Sequence, residues 1–204
     1  MPKFTKLGLA VLTSSLLLAG AVSTASARSF SISNLNIRAT WSRLEFTSAL
    51  ATVRCPVTIE GSYHARTIAK TIGNLKGAVG RVTIKNESCT NGTIAVESLP
   101  WHWSQEGFTG TLPNITATKL LLTRRRFTVT ALGVRCTYGN ETDRITFTSA
   151  LNASGQVTSF SPDAGNVVHR VEGGAFCPET GSLAGPEGTM TAAGTNARLT
   201  VTLI

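Results

Sequence analysis

Three histidines (His64, His102 and His169), four cysteines, eleven acids and one aromatic run hold the chemistry this sequence can offer. In Trp101-His102-Trp103, residues i and i+2 of a strand share a face, so both indoles lie together while His102 points the other way. Two adjacent indole faces suit the apolar C–H side of a pyranose, which makes Trp101 and Trp103 a candidate polysaccharide platform. Core burial is the competing reading, because tryptophan is usually well buried. Lys119 and Arg124-Arg125-Arg126 form the densest basic cluster. Three consecutive arginines in a strand cannot share one face, so Arg124 and Arg126 become candidate contacts for an anionic envelope polymer or lipid headgroup. The competing reading is a solvated edge strand whose charges resist aggregation.

Hydrolysis would need His102 or His169 beside a carboxylate such as Glu106, Asp143 or Glu172. Glu141 and Asp143, the nearest acid pair, flank a turn beside Arg144 and read as solvated. Ser62, Ser104 and Ser182 lie near glycines without an elbow motif, and no HExxH, GxSxG, Walker or GxGxxG pattern occurs. The histidines are too scattered in sequence to define a metal geometry, so neither metal nor cofactor is expected.

Cys55, Cys89, Cys136 and Cys177 make an even count, and an exported chain would join them as two disulfides with three possible pairings. The smallest gap is 34 residues, far from the close pairs of a zinc or redox motif. An internal echo favours one pairing. Phe46 to Cys55 resembles Phe127 to Cys136, with Phe-Thr and Val-Arg-Cys at the same separation, and a fainter likeness follows Cys89 and Cys177. If the echo marks two halves, the bridges are Cys55–Cys89 and Cys136–Cys177, each worth about 4 kcal/mol in the chain-entropy account.

Export itself is read from the start of the chain. Lys3 and Lys6, the apolar stretch Leu7 to Val22, and Ala25-Ser26-Ala27 compose a signal peptide over 1–27, with Arg28 as first mature residue. A retained anchor is disfavoured because Thr13, Ser14 and Ser15 interrupt the stretch, and no later run reaches the roughly 18–20 residues of a membrane span. The expected location is secreted or cell surface, without a transmembrane segment after cleavage. Net charge is +8, falling to +6 without the two leader lysines. Nucleic acid is not an expected partner, since export removes the target and no aromatic–basic motif is present.

The elements that must position these residues are strands. Thirty threonines, 19 glycines and recurrent period-two alternation, as in Ile145-Thr146-Phe147 and Leu199 to Leu203, predict an all-β domain over 28–204. Turn signals such as Asn91-Gly92 punctuate it as hairpins require. The expected fold is an antiparallel β-sandwich or Greek-key barrel with two disulfides, and with two pseudo-repeated halves if the echo is genuine. A membrane barrel would call for aromatic girdles that 6% aromatic content does not supply. Ala65 to Leu75 fits a short helix or a strand–turn equally well, and Ser159 to Gly194, rich in Gly and Pro, reads as loop tied down by Cys177.

Two further stretches carry a resemblance. Leu99-Pro100-Trp101-His102 with Gly110-Thr111-Leu112-Pro113-Asn114-Ile115-Thr116, and Cys55-Pro56 with Glu60-Gly61-Ser62 and His64 to Ile68, are similar to a family of secreted bacterial β-rich proteins of unknown function. The likeness covers the middle half of the mature chain. It implies export and a bacterial source, and brings no activity, cofactor or site residues. The resulting expectation is a non-catalytic secreted or envelope-associated β-domain that binds polysaccharide or a partner protein; the alternative is an extracellular hydrolase of an envelope polymer.

Overall fold

Alternation becomes strand in the computed structural model, which describes residues 29–111 and 114–204. The leader read over 1–27 lies outside the described residues. The first six strands are β1 (Ser29–Ile32), β2 (Asn36–Ser48), β3 (Thr52–Tyr63), β4 (Thr67–Ala69), β5 (Leu75–Ile84) and β6 (Thr93–Glu97). The aromatic run opens β7 (Trp101–Thr111), followed by β8 (Asn114–Thr123), β9 (Arg126–Ala131), β10 (Val134–Tyr138), β11 (Ile145–Leu151) and β12 (Val157–Pro162). Then come β13 (Val167–Gly173), β14 (Thr180–Ala184), β15 (Thr189–Ala192) and β16 (Val201–Leu203). In β11 the period is plain: Ile145, Phe147, Ser149 and Leu151 are buried, and the residues between them are half-buried.

All ladders are antiparallel. One curled sheet runs β12-β11-β8-β7-β5-β3-β2-β14-β13-β10-β9-β6, with β15 added to β2, while β16-β1-β4 form a separate small sheet. The long β2–β3 hairpin is shared by two rings. Residues 37–40 of β2 pair with β15, and residues 45–48 pair with β14. On the β15 side the sheet curls round until Phe160 and Gly188 exchange backbone hydrogen bonds of 2.9 Å each. On the β14 side Thr90, just before β6, exchanges backbone hydrogen bonds with Arg54 of β3. No ladder joins β5 to β6 among the described residues, which leaves a seam there.

Each ring has its own aromatic cluster, anchored on β2. Trp41 packs with Phe147 and Phe160, and Phe46 packs with Phe127 and Tyr138. An odd spacing would send Trp41 and Phe46 to opposite faces of a regular strand. The register shift between Trp41 and Leu44 restores the phase, so Ile37, Ala39, Trp41, Leu44 and Phe46 are all buried. Both large rings then need a neighbour with no side chain. A Cβ on Gly188 would lie 2.5 Å from the Trp41 indole nitrogen, and one on Gly181 would lie 2.2 Å from Phe46 Cζ.

That packing explains a departure from the sequence reading. Ser159 to Gly194 is not mainly loop but carries most of β12 and all of β13, β14 and β15. Two of its glycines, Gly181 and Gly188, are seats for aromatic rings, while Gly165 and Gly194, at φ 81° and 89°, do form turns. In Ala65 to Leu75 only Ile68 of the helical triplet is buried; Ile72 and Leu75 are exposed, and Gly73 at φ 80° turns the chain from β4 into β5, so no helix forms.

The disulfides are Cys55–Cys89 and Cys136–Cys177. The two similar stretches are both hairpins, β2–β3 and β9–β10. The strand after each second cysteine crosses over, so that β6 pairs with β9 and β14 pairs with β2. Sheet order therefore reads β5-β3-β2-β14 and then β13-β10-β9-β6, one arrangement appearing twice.

Gly181→Ala should destabilise the protein by about 1–3 kcal/mol through overpacking against Phe46. Gly80→Ala, where a Cβ meets nothing within 4 Å, should leave the urea midpoint unchanged or slightly raised. Equal effects of the two substitutions would disprove the seating of Phe46 on Gly181.

Candidate functional site

The turn from β8 to β9 carries the three arginines and sends them in different directions. Arg124 sits at its tip with φ 55° and is exposed. Arg125 turns inward and is 2% exposed. Arg126 begins β9 and is held by Glu97, Nε to Oε2 at 3.0 Å, and by Glu172. The edge-strand reading of this cluster is thus corrected: β9 lies between β10 and β6, and the tight turn frees Arg124 from any strand face. Among the described residues Arg124 has no ion-pair partner. The Thr128 hydroxyl, then Arg126, hold the Glu97 carboxyl below its usual range against the effect of burial.

His102 projects from β7 toward the same region. With Ser98, Pro100, Arg124, Asn140 and Glu141 it outlines an open groove of about 580 Å³. The flanking indoles point the opposite way, into the core, at 6% exposure for Trp101 and 5% for Trp103. Trp101 Nε1 donates to the Glu97 carbonyl at 3.1 Å. Trp103 packs on Tyr63 and over Gly77, whose Cβ would fall 2.0 Å from the indole nitrogen. The two residues do share a face, as strand geometry demands, but it is the inner one, so they form no exposed stacking platform.

Beneath the groove is a buried polar cluster that spacing alone did not assemble. The Asp143 side chain is fully buried, whereas Glu141 is exposed, so the expectation that both are solvated holds for only one. An Asx turn explains the difference: Asn140 Oδ1 accepts from the backbone and hydroxyl of Thr142, folding the loop so that Asp143 turns inward. Asp143 Oδ2 accepts the backbone N–H groups of Asn140 (3.1 Å) and His169 (2.9 Å), and Oδ1 lies 2.5 Å from His169 Nδ1. An ionised carboxylate only accepts, so Nδ1 carries the proton in this pair. Arg125 Nη1 donates to the carbonyls of Leu122 (3.1 Å) and Asp143 (2.9 Å), and Nη2 is 3.5 Å from Asp143 Oδ2. Its Nε and Nη2 have no hydrogen-bond partner among the described residues.

Burial pushes the Arg125 guanidinium down to about 10, opposed by the Asp143 charge, so it remains a cation at neutral pH. Burial also acts to raise the Asp143 carboxyl. The His169 ring, the backbone donors of His169 and Asn140, and the Arg125 charge outweigh it, and the carboxyl sits below its usual range.

Of the carboxylates considered for hydrolysis, only Asp143 reaches a histidine. Glu106 is taken by Arg144 Nη2 through both oxygens, at 2.8 and 2.7 Å, and Glu172 by Arg126. The His169 side chain is 55% exposed, and among the described residues its ring hydrogen-bonds Asp143 without a hydroxyl or thiol on the other nitrogen. No group of three His, Cys, Asp or Glu residues suited to a metal is found among the described residues.

A second polar surface lies on the outer face of the β15-side ring. Thr189, Thr40, Thr58 and Thr83 stand in register across β15, β2, β3 and β5, and Thr191, Arg38, Glu60 and Arg81 form the next row. Arg38 Nε binds Glu60 Oε1 at 2.7 Å, and Arg81 approaches the other oxygen at 3.5 Å. These residues line an open surface of about 600 Å³. Its members come from both ends of the chain, so only sheet register could have revealed it. Comparison with protein-family models, curated proteins and solved structures finds no match for this chain.

Asp143→Asn leaves Arg125 buried without its counter-charge and should destabilise by roughly 3–5 kcal/mol. The depressed Asp143 carboxyl contributes stability that is fully present above the ordinary Asp pKa of about 3.9 and is lost as pH falls through its lower folded value. Urea midpoints measured down to strong acid should therefore drop steeply for the wild type and less steeply for the variant. Parallel acid limbs would contradict this role.

Proposed function

We propose that this protein is a secreted or cell-surface binding module that engages an anionic envelope polymer along the Arg124 groove. Two disulfides fit an oxidising compartment outside the cytosol, and among the described residues no helix is long and apolar enough to cross a membrane. The observation that carries the reading is the unequal treatment of neighbouring arginines. Arg126 is neutralised by Glu97 and Glu172, while Arg124 is presented at a turn tip without an ion-pair partner among the described residues, beside His102 and above the buried Arg125. A cation so displayed attracts polyanions at long range and is screened by salt. The sugar-stacking version of the reading loses its support, because the indoles are internal. Carboxylate or sulfate groups on the polymer take over as the recognised feature.

Hydrolysis is the second reading, and the Asp143–His169 pair favours it. A carboxylate that fixes the tautomer of a half-exposed imidazole is the arrangement that general-base chemistry uses.

Affinity chromatography and titration with heparin and polygalacturonate, with dextran as neutral control, test the main reading. Retention should fall with rising salt, and Arg124→Glu should weaken binding on the order of fivefold, as expected for an exposed charge interaction near 1 kcal/mol. Equal binding to dextran, or no effect of Arg124→Glu, would refute it. Release of new reducing ends by the wild type but not by His169→Ala would make the polymer a substrate instead.

A further inference from the structure

The connection from β4 to β5 carries apolar side chains that the core does not take. Ile72 is 64% exposed and Leu75 47%, although both belong to the spacing that suggested a helix. Exposed apolar residues scattered singly are ordinary, but these are gathered. Gly73 N–H donates to the Gln105 carbonyl of β7 at 3.0 Å, and Leu75 opposes Ser104 in the β5–β7 ladder. Further along β7, exposed Phe108 has the Lys70 ammonium 5.7 Å from its ring centroid and meets buried Phe30 edge-on. Ile72, Leu75 and Phe108 thereby lie on one shoulder, between the small β16-β1-β4 sheet and β7.

Charge on this shoulder has one sign. Between Glu60 and Glu87 the chain has no acid but five lysines and arginines. Three of them, Arg66, Lys70 and Lys76, flank the turn, and none is in an ion pair among the described residues. Arg66 is exposed, Lys70 half-buried and Lys76 buried. The single acid of β7, Glu106, is already held by Arg144 through both oxygens. The shape is convex. Ile72 and Gly73 form the turn itself, and a Cβ added to Gly73 would meet nothing within 4 Å.

We infer that the β4–β5 turn is a membrane-docking edge, which sets Ile72 and Leu75 among the headgroups of an anionic lipid bilayer with Arg66 and Lys70 against the phosphates. A convex apolar tip needs either a matching pocket or a surface that yields, and a bilayer interface yields. The cations outside any ion pair supply a second attraction, which a leaflet of anionic lipid matches and a zwitterionic one does not. Insertion of a few side chains and attraction of a few charges are each weak alone, and together they give reversible attachment. The Arg124 groove lies at the His102 end of β7, so attachment here does not depend on polymer binding there.

Co-sedimentation of the chain beginning at Arg28, free of the apolar leader, with mixed phosphatidylglycerol–phosphatidylcholine vesicles tests the assignment. The mixed vesicles should bind it saturably and release it as salt rises, while phosphatidylcholine alone holds it on the order of tenfold less tightly. Ile72→Ser combined with Leu75→Ser should weaken attachment on the order of tenfold, through the apolar area no longer buried. Arg66→Gln should weaken it about fivefold. All of these positions are exposed, and native circular dichroism separates lost attachment from lost fold. The three tryptophans are buried, so Ile72→Trp adds an exposed reporter whose emission should shift to the blue on the mixed vesicles. Leu132→Ser, which removes an exposed leucine at the β9–β10 turn, and Arg124→Glu should both bind vesicles as the wild type does. Absence of binding to the mixed vesicles, equal binding to both kinds, or binding unchanged by the Ile72→Ser/Leu75→Ser pair would each overturn the inference. So would self-association lost in that double variant without vesicle binding, which assigns the shoulder to a second copy of the chain.

Discussion

The structure depends on how β2 delivers two large rings to two aromatic clusters of one core. Trp41 and Phe46 lie on either side of a register shift, and without it one of them would face water. Each ring occupies space that a neighbouring strand must leave empty, and Gly188 and Gly181 leave it. Close packing makes this a strict requirement, since interiors tolerate neither a misplaced methyl group nor a void. Once both rings are seated, the β2–β3 hairpin must belong to both halves of the curled sheet. β14 and β15 must then lie end to end along one of its edges.

A second constraint sits at the β8–β9 turn. Burying Arg125 requires Asp143, and burying Asp143 requires the Asx turn at Asn140 and the N–H groups of His169. One buried ion pair thus joins the β8–β9 turn, the 139–144 loop and β13. The same geometry puts Arg124 outside and, among the described residues, leaves Arg125 Nε and Nη2 without a hydrogen-bond partner. One turn thus carries an exposed cation and a buried one side by side.

The strand-built, disulfide-linked fold was legible in the sequence because its signals are local: Thr-rich alternation, turn dipeptides, an even cysteine count, and an echo around Val-Arg-Cys that points to the pairing present. What escaped notice depends on distant partners. Gly181 and Gly188 resemble loop residues until Phe46 and Trp41, far upstream, are placed on them. Asp143 looks solvated beside Arg144 until Arg125 of the β8–β9 turn and His169 of β13 are placed against it. Trp101 and Trp103 were correctly assigned to a common face, but alternation cannot say which side of a curled sheet is inner. The three arginines part company at a tight turn rather than by alternation along a strand, so the buried cation had no local signal.

The crossing of β6 onto β9 and of β14 onto β2 has a consequence for how the chain reaches its final form. Neither disulfide-bearing segment can complete its own wall, because each lends its last strand to the other. Such pairings are remote in sequence, which slows folding and leaves unfinished edges open to stray association. A polypeptide that emerges amino-terminus first must therefore hold its earliest hairpin unsealed until nearly all of it has been delivered. Its assembly is governed by arrival of the carboxyl-terminal portion, and severing that portion would leave no self-sufficient remnant.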